Sequence, residues 1–394
     1  MGRCSYTWTE PGKEKDVPVR NQCPEKVWYG SKENCIFHDP SKKKDVELFM
    51  QKLQEKLDRK DYNFQGYQFL ENLDFSKKKF EKDAYFEGAS FQNAYFNKAS
   101  FQDSYFNGAS FQNAYFEGAS FQNAHFEGAS FQNASFDGAT FQIANFHKAT
   151  FQNAYFPNVI IDENLIFTPD KVGKLDLQNS QFRSKGTITV DLTNAKFYEA
   201  ELEKVTFLDC NWPEKISEEK NGSRSFNELE TIYRNLKQNM QHHGDYLEAG
   251  ELYYREMEMK RKQIDPFTPK WWGQNILRIL CGYGEKPSRV IAVSLLIVLL
   301  GAILFFYCGV STIEVGKDSE GKPQITSRPI GYPSDSTAPD FLYCVYYSVV
   351  TFTTLGYGDI HPENCSYIFA SLETFTGAFF MALFVLTFGR KMMR

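Results

Sequence analysis

Apolar residues are spaced in three ways along this chain, and each spacing predicts a different structure. From Ala84 to Asn158 phenylalanine returns at every fifth position, from Phe86, Phe91 and Phe96 onward to Phe156. The residue two places before each Phe is alanine, except Ser104. Helices repeat every 3.6 residues and strands every two, so a strict five fits neither. A fixed short period marks a solenoid. The pattern continues in weaker form, as Phe64, Phe69, Phe75 and Phe80 before it and Leu177, Phe182, Leu192, Phe197, Leu202 and Phe207 after it. This predicts a solenoid over 62–209, with an irregular break near 159–174.

The second spacing is helical. Residues 45–59, DVELFMQKLQEKLDR, read as an amphipathic helix at one end of the solenoid. Residues 222–264 read as two helices. Ser225 with Glu228 suits a capping box, and 242–245, HHGD, make the turn. Leu229, Ile232, Tyr233 and Leu236 are expected to face Leu247, Leu252, Tyr253 and Met257 across a hairpin. Residues 266–287 set Trp271 and Trp272 beside Lys270 and Arg278, a mixture suited to a helix at a membrane interface. His242 and His243 read as solvated turn residues.

The third spacing is unbroken apolarity. Residues 288–310 hold a stretch with no charge from Val290 onward, about the 20 residues needed to span a bilayer. Residues 366–389 contain one charge, Glu373. Two transmembrane helices are expected, the second within 366–394. They flank a loop at 311–339 and a short apolar run that starts at Asp340, an expected helix cap, and ends in TTLGYGD.

Charge orients these spans. Arg278, Lys286 and Arg289 precede the first, and Arg390, Lys391 and Arg394 follow the second. The intervening loop has only Lys317, Lys322 and Arg328. The positive-inside rule then places both termini in the cytoplasm, in a cell (plasma or inner) membrane. MGRCSYTWTE has no apolar core for a signal peptide. The net charge of -5 gives no case for nucleic-acid binding. No Walker or GxGxxG fingerprint and no catalytic constellation appears, so no enzyme is expected.

Residues 1–61 hold Cys4, Cys23, Cys35 and His38, four soft ligands in one short segment. Cys35-x-x-His38 can clamp one ion, and a Cys3His set suits structural zinc. The competing reading is reduced thiols in a loop. A disulfide does not suit the cytoplasm, and a catalytic Cys–His pair lacks a third partner.

The five-residue period resembles the pentapeptide-repeat family. That resemblance implies a right-handed quadrilateral β-helix in which four units make a coil of twenty residues, with the Phe and the small residue pointing inward. Some members mimic DNA and act on topoisomerases. The outer positions here are mostly Gln, Asn, Ser and Tyr, which does not suit that role. A spacer or docking scaffold with an unidentified partner is expected.

Thr353-Thr354-Leu355-Gly356-Tyr357-Gly358-Asp359 resembles the potassium-channel signature TTVGYGD, with Leu for Val, over residues 289–394. The resemblance implies a re-entrant pore helix and filter at 340–359 and a homotetramer in the bilayer. The carbonyls of Thr354, Leu355, Gly356 and Tyr357, with the Thr354 hydroxyl, would coordinate K+. Tyr346 and Tyr347 stand where the family commonly has paired tryptophans, as a cuff around Tyr357 with a link to Asp359. Val350 stands where some members place a Glu. Gly377 matches the hinge of the inner helix, with Leu383, Leu386, Thr387 and Arg390 toward the cytoplasmic mouth. Glu373 is expected to hydrogen-bond the pore helix.

No arginine-rich helix precedes the pore, so no voltage sensor is expected. Movable joints are expected at Pro213, at 266–269 and at 282–287. The whole reads as a multidomain, potassium-selective tetrameric channel: a β-helix, an α-helical hairpin linker and a two-span all-α pore domain. The alternative is a membrane-anchored interaction scaffold with a closed or non-conducting pore.

Overall fold

A computed structural model describes residues 2–10, 19–41, 43–81, 83–317, 323–331 and 338–392. Lys322 and Arg394, which entered the charge argument, lie outside them. The chain divides into two compact units, Met1–Asp245 and Tyr246–Arg394.

The first unit is a β-solenoid. Its short parallel strands pair twenty residues apart, as in Ser90–Gln92 with Ser110–Gln112 and Ser100–Gln102 with Ser120–His125. Twenty residues are four five-residue steps, so the phenylalanines fall into four columns. Within a column the rings stack nearly parallel. Phe91 and Phe111 lie 5.0 Å apart at 2°, and Phe96 and Phe116 lie 4.9 Å apart at 6°. Rings from neighbouring columns meet edge to face, as Phe86 and Phe101 do at 79°. Both geometries suit the aromatic quadrupole. The alanines are fully buried beside them, and so is Ser104, whose hydroxyl donates to the Gln102 carbonyl at 3.2 Å. The alanine rule thus has a packing cause, since a larger side chain there would meet rings already in contact.

Each coil turns through left-handed residues. Asn93, Asn113, Asn133 and Asn153 all have positive φ, between 53° and 57°. Asparagine tolerates that conformation, and these four also form an amide ladder on the surface at 2.9, 3.0 and 3.3 Å.

The expected break near 159–174 is a single inserted residue. Thr140 pairs with Ile160, twenty on, whereas Ala144 pairs with Leu165, twenty-one on. Leu165 and Phe167 take the inward positions, and Phe167 stacks on Phe151 at 5.1 Å. Stacking needs only the inward direction to be kept, so the column absorbs the extra residue.

Both ends are closed. Helix α1 (Val46–Asp58), capped by Asp45, buries Phe49 and Leu53 at the first end. At the other end Trp212 packs on Phe207 and Phe197, α2 (Ser217–Lys220) follows, and then α3 (Phe226–His242). The Ser225–Glu228 capping box is present. Asn239 on α3 donates to the carbonyls of Leu202 and Val205, at 2.5 and 2.8 Å. Tyr233 donates to Glu219 at 2.6 Å. Helix α3, assigned by its pattern to a linker hairpin, is thus bonded to the solenoid's end through Asn239.

The second unit begins with α4 (Tyr246–Lys262) and α5 (Pro269–Cys281), capped by Thr268. Trp272, Ile276 and Ile279 on α5 are exposed. Then come α6 (Pro287–Cys308), α7 (Ala338–Phe352) and α8 (Ser366–Met392). Helices α6 and α8 are long and apolar enough to cross a membrane. Helix α7 starts two residues before Asp340, so Asp340 sits in the first turn, where it pairs with Arg328 at 3.2 Å. The segment read as a plain loop contains a hairpin, Val310–Lys317 with Pro323–Ile330, and Ile360–Pro362 adds a third strand.

Phe116→Ala removes a ring stacked on both sides and should destabilise the solenoid by about 3–5 kcal/mol. Hydrogen-exchange protection in the adjacent coils should fall accordingly. Undiminished protection would contradict the stacked core.

Candidate functional site

Helix α7 runs directly into TTLGYGD. Its last bonds, Thr354 N–H to Thr351 O at 3.1 Å and Leu355 N–H to Val350 O at 3.0 Å, close the turn. Beyond it the backbone alternates in hand. Thr354, Gly356 and Gly358 have φ of 59°, 55° and 77°, while Leu355 and Tyr357 between them are not positive. Alternation of this kind turns successive carbonyls toward one side of the strand. Glycine takes the left-handed positions without a steric cost. Among the described residues, no protein group donates to the carbonyls of 354–358. In one chain Leu355 and Tyr357 are 58% and 67% exposed, so the run lies uncovered.

The run is anchored at both ends. Tyr346 donates its hydroxyl to Asp359 at 2.9 Å. Tyr347 turns the other way and packs edge-on against Phe305 of α6 at 4.8 Å. The two tyrosines, adjacent in sequence, therefore hold Asp359 and the first apolar helix separately. Val350 is buried, and Thr353 bonds back to the Val349 carbonyl at 2.7 Å. At the exit, Ile313 N–H donates to Asp359 O at 3.3 Å, and Ser311 and Thr312 pair with His361 and Ile360. A disulfide, Cys308–Cys365, ties the end of α6 to the start of α8. Pattern reasoning missed this clasp, although Cys308 lies near the end of one predicted span and Cys365 just before the other.

Three helices meet at Glu373. Its Oε1 accepts from Ser348 on α7 at 2.5 Å, and the same hydroxyl oxygen lies 2.8 Å from the Val298 carbonyl of α6. Glu373 is buried, and its Oε2 has no partner among the described residues. Gly301 makes the node possible, because a Cβ there would lie 2.4 Å from Glu373 Oε1. Gly377, one turn on, lets α8 reach the end of α7. A Cβ there would stand 1.9 Å from the Phe352 carbonyl oxygen. Helix α8 runs unbroken through Gly377, whose close approach to Phe352 gives it a packing role.

Leu383, Leu386, Thr387 and Arg390 line a groove of about 240 Å³ facing Tyr253 on α4 and Cys281 on α5. Arg390 pairs with Glu285 at 3.3 Å and lies 5.0 Å above the Tyr253 ring. The end of α8 is therefore held by α4 and by the turn before α6. The turn itself, read as a movable joint, is bonded at Tyr283, Glu285 and Lys286. Tyr283 donates to Glu258 at 3.2 Å, and Lys286 reaches Glu251 at 2.5 Å. Glu258 is buried between Arg261 and Arg278, at 3.3 and 2.9 Å. Burial, followed by the charge of Glu258, pushes the Tyr283 phenol well above its ordinary range. Cys4, Cys23, Cys35 and His38 meet in the first unit, with all four ligand atoms within 4.8 Å.

Replacing Gly301 or Gly377 with alanine should lower the melting temperature of the detergent-purified protein, since overpacking costs about 1–3 kcal/mol. Unchanged melting in both would contradict these close approaches.

The profile of the family described as "pentapeptide repeat region" matches residues 79–166, and that described as "ion channel" matches 293–394. Neither is an enzyme family. No curated protein matches the chain. Among solved structures, QnrB1, a plasmid-mediated fluoroquinolone resistance protein, is similar at 20% identity and a TM-score of 0.20. The match covers 35% of this chain and 80% of that one. Rfr23, a pentapeptide repeat protein from the cyanobacterium Cyanothece 51142, is similar at 16% identity and a TM-score of 0.12, covering 41% and 99%. The family matches and the two apolar helices place the chain in a membrane. One polypeptide here joins a pentapeptide repeat region, built as a β-solenoid, to a two-span ion-channel region.

Proposed function

We propose that four copies of this chain form a potassium-selective pore, with Thr354–Gly358 of each lining the conduction path. The observation that carries this is the alternating backbone from Thr354 to Gly358 with its unclaimed carbonyls. A potassium ion leaving water needs its shell of oxygens replaced, and carbonyl rings from four chains supply that. The exposure of Leu355 and Tyr357 in one chain suits a site completed by its copies. Irregular backbone at membrane depth is tolerated only where it is buried in protein or lines water, and a shared axial filter meets both conditions.

The disulfide supports the orientation. Cys308 and Cys365 lie on the filter side of the spans, and disulfides persist on the oxidising side of a membrane. The opposite ends, Arg289 and Arg390, then face the cytoplasm with the solenoid. There the Arg390–Glu285 pair and the Tyr253 ring couple α8 to α4, whose first residue follows the first unit directly. The solenoid regulates or anchors the pore through this helix.

Protein reconstituted in liposomes should pass potassium at least about tenfold faster than sodium, and Gly358→Ala or Tyr357→Ala should abolish the preference. Equal rates in the wild type, or intact preference in both variants, would refute the filter assignment. Arg390→Gln should alter open probability without changing selectivity, as read from single channels. Unaltered gating would contradict the coupling.

A further inference from the structure

The cysteine–histidine cluster lies in the first unit and owes nothing to the pore. Its ligands come from three places in the sequence, and local structure brings each one in. The strand pair Thr7–Glu10 and Val19–Gln22 extends inward through Cys23 N–H to Tyr6 O and Cys4 N–H to Glu25 O, both at 3.0 Å. That ladder sets Cys4 near Cys23. A tight turn, His38 N–H to Cys35 O at 3.2 Å, puts the other two on one side.

The four ligand atoms lie within 4.8 Å of one another, close enough to share one ion. Cys23 Sγ and Cys35 Sγ are 3.9 Å apart. His38 Nδ1 lies 3.1 Å from Cys35 Sγ and 3.6 Å from Cys4 Sγ. Zinc bonds of about 2.3 Å to sulfur and 2.0–2.1 Å to nitrogen give tetrahedral edges of about 3.8 Å between sulfurs and about 3.6 Å from sulfur to nitrogen. A sulfur–sulfur bond is near 2.05 Å, so no pair is placed as a disulfide.

The surroundings suit a ligand set. All four residues are buried, none more than 6% exposed. His38 Nε2 lies 2.8 Å from the Gln65 carbonyl, which can only accept. The ring proton therefore sits on Nε2, and the Nδ1 lone pair faces the sulfurs. This is the outer bond that fixes the tautomer of a metal-ligating histidine. Tyr6 stacks on the imidazole at 3.9 Å and locks its plane. Cys35 N–H donates to Cys4 Sγ at 3.2 Å, an interaction that favours a thiolate.

We propose that Cys4, Cys23, Cys35 and His38 bind one zinc ion per chain, which clamps the N-terminal segment onto the first coil of the solenoid. Four protein donors leave no open position, so the ion is structural. Its mechanical link to the column is His38, through Gln65, the neighbour of Phe64 in the first stacked column.

The test uses the full-length protein purified under reducing conditions with no added metal. Elemental analysis should find about one zinc per chain, as a closed Cys3His site requires. Cys35→Ser with His38→Ala should lose it, and His38→Cys should keep it. Should the double variant fail to fold, alkylation of the wild type resolved by mass spectrometry serves instead. Cys4, Cys23 and Cys35 should become reactive when a strong chelator is added. Zinc-free wild type, zinc undiminished in the folded double variant, or labelling unchanged by chelation would overturn the proposal.

Discussion

A stretch of backbone whose carbonyls accept nothing from the protein dictates how the rest of the second unit is built. The run is exposed in one chain, and each of its five carbonyls would cost about 1–3 kcal/mol if it were buried without a partner. The structure holds them apart from any nearby donor. Helix α7 stops at Phe352, Tyr346 pulls Asp359 aside, and the strand Ile360–Pro362 draws the exit into a sheet. The disulfide then fixes α8 beside α6. Each restraint acts on the flanks, and none touches the run itself. On the proposed reading, the missing partner is the cation.

The same economy explains the glycines of the spans. Gly301 and Gly377 lie outside TTLGYGD in sequence, yet each marks where a helix comes close to α7 or its partners. Glu373 could not be buried without Ser348, and Ser348 could not reach it past a side chain at 301. The solenoid obeys a different rule. Its core is a repeated contact, ring on ring every twenty residues, and it tolerates a one-residue insertion because neighbouring coils depend only on direction.

How much of this was legible follows from the range of each interaction. The five-residue period is local, so it could be read directly, and so could the Ser225–Glu228 cap and both spans. TTLGYGD carries its backbone conformation in its glycines. Contacts between distant residues left weaker traces. Val310–Val315 is rich in β-branched residues, which hints at a strand, but nothing local pairs it with Ile360. Cys308 finds Cys365 across 57 residues, and Arg390 finds Glu285 across more than a hundred. The apolar face of α3 was visible, but its partner was not. A helix face records that something covers it and does not say what.

On the proposed reading this backbone run selects potassium. The most direct measurement is the reversal potential of the wild-type protein in a planar bilayer, with potassium on one side and sodium on the other. A potential displaced strongly toward that of a potassium electrode is expected. A potential near zero, with current flowing, would contradict the reading.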